Sequence, residues 1–180
     1  MQLADQREIA APPHIVWAAL FDAEVLAACV PGCESMTGSP ETGFEAVVVQ
    51  KVGPVKARFT GTVTLSDIVE GESCTISGEG KGGAAGFAKG AARVTLAPAS
   101  EGTGTLLSYA VEANVGGKLA QIGSRIIDGF ARKMADQFFE RFQQTVEGPA
   151  EPEPEPDPEP APEDAGAGAG KKGWLKRIIG

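Results

Sequence analysis

The chain has 180 residues, 42% of them hydrophobic, and a formal net charge of −8. That length allows one domain with appendages. No run approaches the roughly 18 continuous apolar residues a membrane span requires, and an acidic balance argues against nucleic acid, whose binding rests on a basic face. Cys29, Cys33 and Cys74 are an odd number at no zinc-ligand spacing, and MQLADQREI offers neither a charged n-region nor an apolar h-region. The expectation is a reduced, cytoplasmic domain.

Composition divides the chain at Gly148. Residues 1–148 mix apolar and charged side chains as a folded domain does, 149–170 are rich in Pro and Glu and then Ala and Gly, and 171–180 are basic. The middle segment holds seven carboxylates and the last ten residues four cations; removing both from −8 leaves the domain at −5.

Leu3 to Ile9 reads as a strand, and APPHIVWAAL as a short helix opened by paired prolines, with Ile15, Trp17, Ala18 and Phe21 in helical spacing. Asp22 is placed to cap a second helix that Pro31-Gly32 ends. Period-2 patterning follows. Phe44, Ala46, Val48, Gln50 and Val52 share one face of a strand, Gly53-Pro54 supplies a turn, and Val55, Ala57, Phe59, Gly61, Val63 and Leu65 alternate with polar residues. Further strands fit 72–80, 86–96 and 104–115, the last with Thr105, Leu107, Tyr109, Val111, Ala113 and Val115 on one face. From Lys118, Leu119, Ile122, Ile126, Phe130, Met134, Phe138 and Phe142 form the stripe of an amphipathic helix about 30 residues long, which must lie on the sheet's apolar face to be buried. The order β-α-α-β(six)-α results: an α+β fold with an antiparallel sheet of six to seven strands.

Residues 149–164 carry too little apolar surface to fold and predict extended polyproline-like chain, which at about 3.1 Å per residue reaches on the order of 50 Å. AGAGAG adds a flexible joint. In the terminal KKGWLKRIIG, Trp174, Leu175, Ile178 and Ile179 gather on one side of a helical wheel and Lys171, Lys172, Lys176 and Arg177 mostly on the remainder. This is the pattern of a helix lying in a lipid headgroup layer, with each cation contributing about 1 kcal/mol near an anionic leaflet. Ten residues make a marginal helix in water, so folding is expected only on binding. A protein groove filled by the same apolar side chains is the rival reading.

Motifs for catalysis are sparse. Gly78, Gly80 and Gly83 match GxGxxG, but the sequence continues into strand-like FAKGAARVTLA rather than a helix, so a hairpin is the better account. His14 is the single histidine and falls in the first turn of a helix. Cys29 and Cys33 lie on or beside a helix end, a position that can depress a thiol pKa, although buried packing is the commoner role.

The element order resembles the helix-grip arrangement of START-like (SRPBCC) proteins, in which a curved sheet wraps a long C-terminal helix around a cavity. Within it, HIVWAALFDAEVLAACVPGCE (14–34), VGPVKARFTG (52–61) and VGGKLAQIGSRIIDGFARKMADQFFERF (115–142) are similar to the CoxG-like family of carbon monoxide dehydrogenase subunits. The resemblance covers roughly residues 1–147. It implies a non-enzymatic accessory protein that recruits a molybdenum hydroxylase such as CO dehydrogenase to the inner face of the cell membrane, attached peripherally.

It also favours an interior cavity over a compact core, a reading the small inward residues Ala57, Gly61 and Ala92 support. The candidate cavity residues are Gln50, Ala57, Phe59, Gly61, Phe87, Ala92, Tyr109, Ile122, Ile126 and Phe130. Gln50 and Tyr109 are the polar groups in inward registers; unpartnered, each would cost about 1–3 kcal/mol, and a ligand carbonyl, water or backbone would satisfy them. An enzyme feeding a respiratory chain needs a lipophilic acceptor, so the ligand expected is an isoprenoid quinone, bound without any covalent cofactor or metal. The alternatives are a START-like polyketide cyclase or aromatase, using Tyr109 or His14 as acid/base, and a general lipid-transfer protein.

Overall fold

The structure, a computed structural model, describes residues 1–148. The linker expected at 149–170 and the tip of Lys171, Lys172, Trp174, Leu175, Lys176, Arg177, Ile178 and Ile179 lie outside the described residues. Strand β1 (Gln2–Ile9) leads into α1 (Pro13–Leu20), where Pro12, extended at φ −62, ψ 151, caps the helix and Pro13 opens it. Helix α2 (Ala23–Cys29) starts as the sequence predicts, with Asp22 Oδ1 accepting from the amides of Glu24 (2.8 Å) and Val25 (3.2 Å). Six strands follow: β2 (Cys33–Ser39), β3 (Gly43–Val52), β4 (Val55–Val69), β5 (Ser73–Lys81), β6 (Phe87–Pro98) and β7 (Thr105–Gly116). They join β1 in one antiparallel sheet of order β1-β7-β6-β5-β4-β3-β2. Helices α3 (Lys118–Gln121) and α4 (Ser124–Glu147) complete an α+β fold whose long C-terminal helix crosses the sheet.

Two features depart from the sequence reading. Strand β2 is the one of the six later strands to which it gives no range, because CESMTGS lacks apolar alternation; its ladder comes from pairing with β3, not from its own side chains. The expected helix of about 30 residues is broken at Gly123, whose φ of +102 no helix accommodates, leaving α4 with 24 residues or about 36 Å. The buried stripe also differs. Steps of four residues advance about 400°, so each drifts about 40° around the helix; a line from Ile126 to Phe142 winds off the buried face. Ile127, Phe139 and Phe142 are buried, while Ile126 is 47% exposed.

The glycine-rich stretch forms the β5–β6 hairpin with one short 3₁₀ turn, Gly83–Ala85, and no nucleotide-type helix. Gly86 sits at φ +108, and a side chain there would collide with the Gly116 carbonyl, so this connection and the end of β7 touch backbone to backbone.

The packed core gathers at the C-terminal end of α4: Ile9, Val16, Cys29, Leu107 and Phe142 are all at 1% exposure or less, and the buried Thr105 hydroxyl donates to Ala11 O at 2.7 Å. The helix is fastened there to edge strand β1. Gln143 Nε2 donates to Glu8 O (2.7 Å), the Ala10 amide donates to Glu147 Oε1 (2.9 Å), and Arg7 pairs with Asp136 (2.5 Å). Two of the cysteines, Cys29 and Cys74, belong to this packing. Burial pushes all three thiols up, Cys29 and Cys74 from within the core, Cys33 from a half-buried strand end where its thiol donates to Ser35 O.

Two outcomes test this arrangement. Phe142→Ala is expected to lose about 3–5 kcal/mol of stability in denaturant unfolding, whereas Ile126→Ala loses well under about 1.5 kcal/mol; equal losses would place the buried stripe elsewhere. In the native protein near neutral pH, Cys29 and Cys74 should resist a chromogenic disulfide reagent that titrates all three thiols after denaturation. Prompt reaction of Cys29 would mean its burial is wrong.

Candidate functional site

Because α4 is held at the flanks of the sheet, it does not close onto the middle strands, and a cavity of about 510 Å³ remains between them. Its wall is built from four sources. Leu20, Leu26, Val30 and Pro31 come from α1, α2 and the turn after them; Met1 and Leu3 from β1 and the residue before it; Met36 of β2 and alternate residues of β3 to β7, including Phe44, Val63, Ile76, Val94 and Val111, from the rest of the sheet; and Ile127, Met134 and Phe138, among others, from α4. Alternation makes this possible, since every second residue of each strand faces the helix. Several of those residues are small: Ala88, Ala92 and Ala113 line the cavity directly, and the volume their missing atoms leave is the space itself.

Among the lining residues Tyr109 alone carries a side-chain oxygen or nitrogen. The Tyr109 ring stacks on Phe139 with centroids 4.9 Å apart and planes 21° from parallel. Behind Phe139 lies Arg7, its guanidinium carbon 5.6 Å from that ring's centre, its Nη2 shared between Asp136 (2.5 Å) and Asp5 (3.2 Å). The Asp136 hydrogen bond raises the guanidinium's hold on its proton against the opposing effect of burial, and Tyr109 adds to it. The Arg7 Nε–H is buried without a partner, an unusual condition for a polar group. One end of an otherwise hydrocarbon cavity thus ends on a phenol backed by an ion-paired cation.

Of the residues anticipated from the sequence, Ala92, Tyr109 and Phe130 line this cavity. The other seven do not. The Gln50 amide donates to Pro31 O, tying β3 to the turn after α2, so its polar group is satisfied by backbone. Ala57, Phe59 and Gly61 lie in the inward register of β4, but the cavity opens further along that strand, at Val63 and Leu65. The space over Phe59 is taken by the β5–β6 connection: a Cβ on Gly82 would collide with its ring. Phe87 is on the opposite face of β6 from Ala88 and Ala92, is 45% exposed, and lies across the backbone of its partner Gly116. Ile122 and Ile126 pack around the β3–β4 turn, where a Cβ on Gly53 would stand 3.3 and 3.4 Å from their methyls. His14 is exposed on α1, apart from the cavity wall.

The residues that sequence reasoning misses are those whose contribution crosses elements. Leu20, Leu26 and Val30, in or just after the two short helices, carry no signal of a cavity in the sequence, and Met134 and Phe138 read as packing stripe. Arg7 shares its strand parity with Leu3 and Ile9, and that parity is the signal that could place it inward. Among the described residues no group of three His, Cys, Asp or Glu could hold a metal, and no helix is long and apolar enough to cross a membrane.

Comparison with known proteins agrees with this architecture. A conserved protein from Geobacillus kaustophilus is 27% identical and superposes with a TM-score of 0.75, over 82% of this chain and 95% of that one. A START superfamily protein from Mycobacterium smegmatis shares 15% identity with a TM-score of 0.59, covering 81% and 97%; the Chromobacterium violaceum protein CV1439 shares 20% with a TM-score of 0.60, covering 82% and 99%. These two likenesses show the fold alone. No curated protein matches the chain. The model of the carbon monoxide dehydrogenase CoxG family matches residues 6–147, spanning both the strands and the helices that build the cavity, and the chain belongs to that family.

Proposed function

We propose that this chain is a non-enzymatic accessory protein that brings a molybdenum hydroxylase of the CO dehydrogenase type to the cytoplasmic membrane, and that its cavity takes up an isoprenoid quinone as that enzyme's electron acceptor. The observation that carries the reading is the cavity itself. At about 510 Å³ it falls in the range of small-molecule sites, and its wall is hydrocarbon apart from one phenol. A molecule that fits is long, apolar and nearly without polar groups, and carries at most a carbonyl or hydroxyl at one end. Family membership supports the enzyme partner, since the family's name denotes a component of carbon monoxide dehydrogenase. The Tyr109 hydroxyl, the one polar side-chain group in the wall, supports a quinone carbonyl over a plain hydrocarbon. The basic, amphipathic sequence 171–180 supports membrane attachment. A cyclase would need acid/base groups around its substrate, and the lining supplies Tyr109 alone.

Organic extraction of the purified full-length chain, followed by mass spectrometry, should yield an isoprenoid quinone in near-stoichiometric amount. Recovery of phospholipid or fatty acid instead would favour lipid transfer. Ala92→Phe projects a ring into the cavity and is expected to lower the bound quinone at least about tenfold, with a stability change within the roughly 1–3 kcal/mol typical of added core volume. In flotation with anionic liposomes, deleting 171–180 should markedly reduce association; undiminished binding would remove the tip from the mechanism.

A further inference from the structure

The antiparallel meander sorts its turns to two ends, and the charges sort with them. At one end lie the β2–β3, β4–β5 and β6–β7 turns. Residues 38–44, 67–73 and 97–105 there hold Glu41, Asp67, Glu70, Glu72 and Glu101 and no cation. At the other end lie the β3–β4 turn, the β5–β6 connection and the passage from β7 through α3 into α4. Residues 51–56, 81–87 and 116–126 there hold Lys51, Lys56, Lys81, Lys118 and Arg125 and no carboxylate. All five cations are exposed. Lys81 is 3.6 Å from Glu79, and the other four form no ion pair among the described residues. These segments are one surface: Lys51 faces Lys56 across the hairpin, Gly53 lies against Ile122 and Ile126, and the β5–β6 connection touches the β7 end at Gly86 and Gly117.

Two large apolar side chains stand among these cations, Phe87 at 45% exposure and Ile126 at 47%. Ile68 and Val69 are as exposed, but sit among Asp67, Glu70 and Glu72 at the acidic end. The cavity has the same polarity. Toward the acidic end it is floored by the buried side chains Leu107, Tyr109 and Phe139; toward the basic end its wall is Ala88, Ala113, Val115 and Phe130, all half-buried.

We infer that the basic end of the folded domain is itself a membrane-docking surface, which lies against an anionic lipid bilayer and presents the shallow end of the cavity to it, independently of the C-terminal tip. Charge complementarity explains how a domain of net charge −5 approaches an anionic leaflet at all: the field it presents depends on which end leads. The apolar pair among the cations fits the boundary between headgroups and acyl chains. A lipid surface is chosen over an acidic protein because the cavity reaches this end, and a hydrocarbon-like molecule moving between cavity and bilayer then avoids water. The inference therefore rests on the reading that the cavity serves a hydrophobic molecule, which the extraction above tests separately.

The test uses the full-length chain, with its tip intact, and vesicles of phosphatidylcholine with and without phosphatidylglycerol. Lys51→Glu, Lys56→Glu and Lys81→Glu combined should weaken association with the anionic vesicles by about tenfold or more, each lost cation being worth a several-fold change near such a surface. Phe87→Ser with Ile126→Ser should weaken it at unchanged net charge. All five side chains are exposed, and circular dichroism checks that the fold persists. Wild-type binding by both variants would overturn the inference, leaving the tip as the sole contact. Unchanged vesicle binding with lost capture of the partner enzyme would also overturn it and assign this end to that enzyme. Weakened vesicle binding in a chain that yields no quinone would uphold docking while the quinone reading falls.

Discussion

The rest of the structure depends on how α4 is held. Three contacts fasten it to edge strand β1 and the residue after it: the Arg7–Asp136 pair, the Gln143 donation to Glu8 O and the Ala10 donation to Glu147. On its other flank it packs against α2, where Cys29 approaches Thr145. A helix suspended by its sides cannot settle onto the middle of the sheet unless large side chains bridge the gap. On β6 and β7 the inward residues toward the α4 N-terminus are Ala88, Gly90, Ala92 and Ala113, which do not reach. Further along, Val94, Leu96, Leu107 and Tyr109 belong to the packed cluster, and Val94, Leu107 and Tyr109 close the cavity at that end. The cavity is the consequence of that gradient in side-chain size beneath a rigid, edge-held helix.

This arrangement separates stability from function along one axis. The tightly packed end, with Phe142, Ile9 and Leu107, holds the main cluster of buried apolar side chains, whose burial stabilises the fold. The opposite end gives up packing density, where each missing methylene forgoes contacts a core would normally make. Its connections are glycine-rich and close in on one another by backbone rather than by side chains, as at Gly86 against Gly116. Local opening costs least where buried apolar contacts are fewest, so the end nearest the cavity's half-buried wall is also the end best able to admit a ligand.

Polar groups near the cavity show how little it tolerates. Gln50 faces inward by parity yet spends its amide on the Pro31 carbonyl, since a free amide against hydrocarbon would carry a desolvation penalty. Arg7 keeps its charge by pairing with two carboxylates and lying over the Phe139 ring, leaving one N–H unanswered. Tyr109 completes this corner as the one phenol in the wall. A carbonyl-bearing ligand head would find its one side-chain donor, the Tyr109 hydroxyl, here and nowhere else on the lining.

From the sequence alone, alternation determined the inward face of β3, β4 and β7, the Asp22 cap and Gly53-Pro54 marked element ends correctly, and the order of elements determined an α+β meander under a C-terminal helix. These are local properties, set by side-chain period and backbone geometry. The distance between layers is not local, so parity says that Ala57, Phe59 and Gly61 face the helix but not that the cavity lies further along β4. Phe87 falls outside the cavity because its parity is opposite to that of Ala92; Ile122 and Ile126 fall outside it because a four-residue step does not stay on one face and Gly123 breaks the helix between them. The gathering of Lys51, Lys56, Lys81, Lys118 and Arg125 at one end is likewise invisible in a chain where they are spread from position 51 to position 125. Only the alternation of turn directions in the folded sheet brings them together, because each hairpin returns the chain to the end it left.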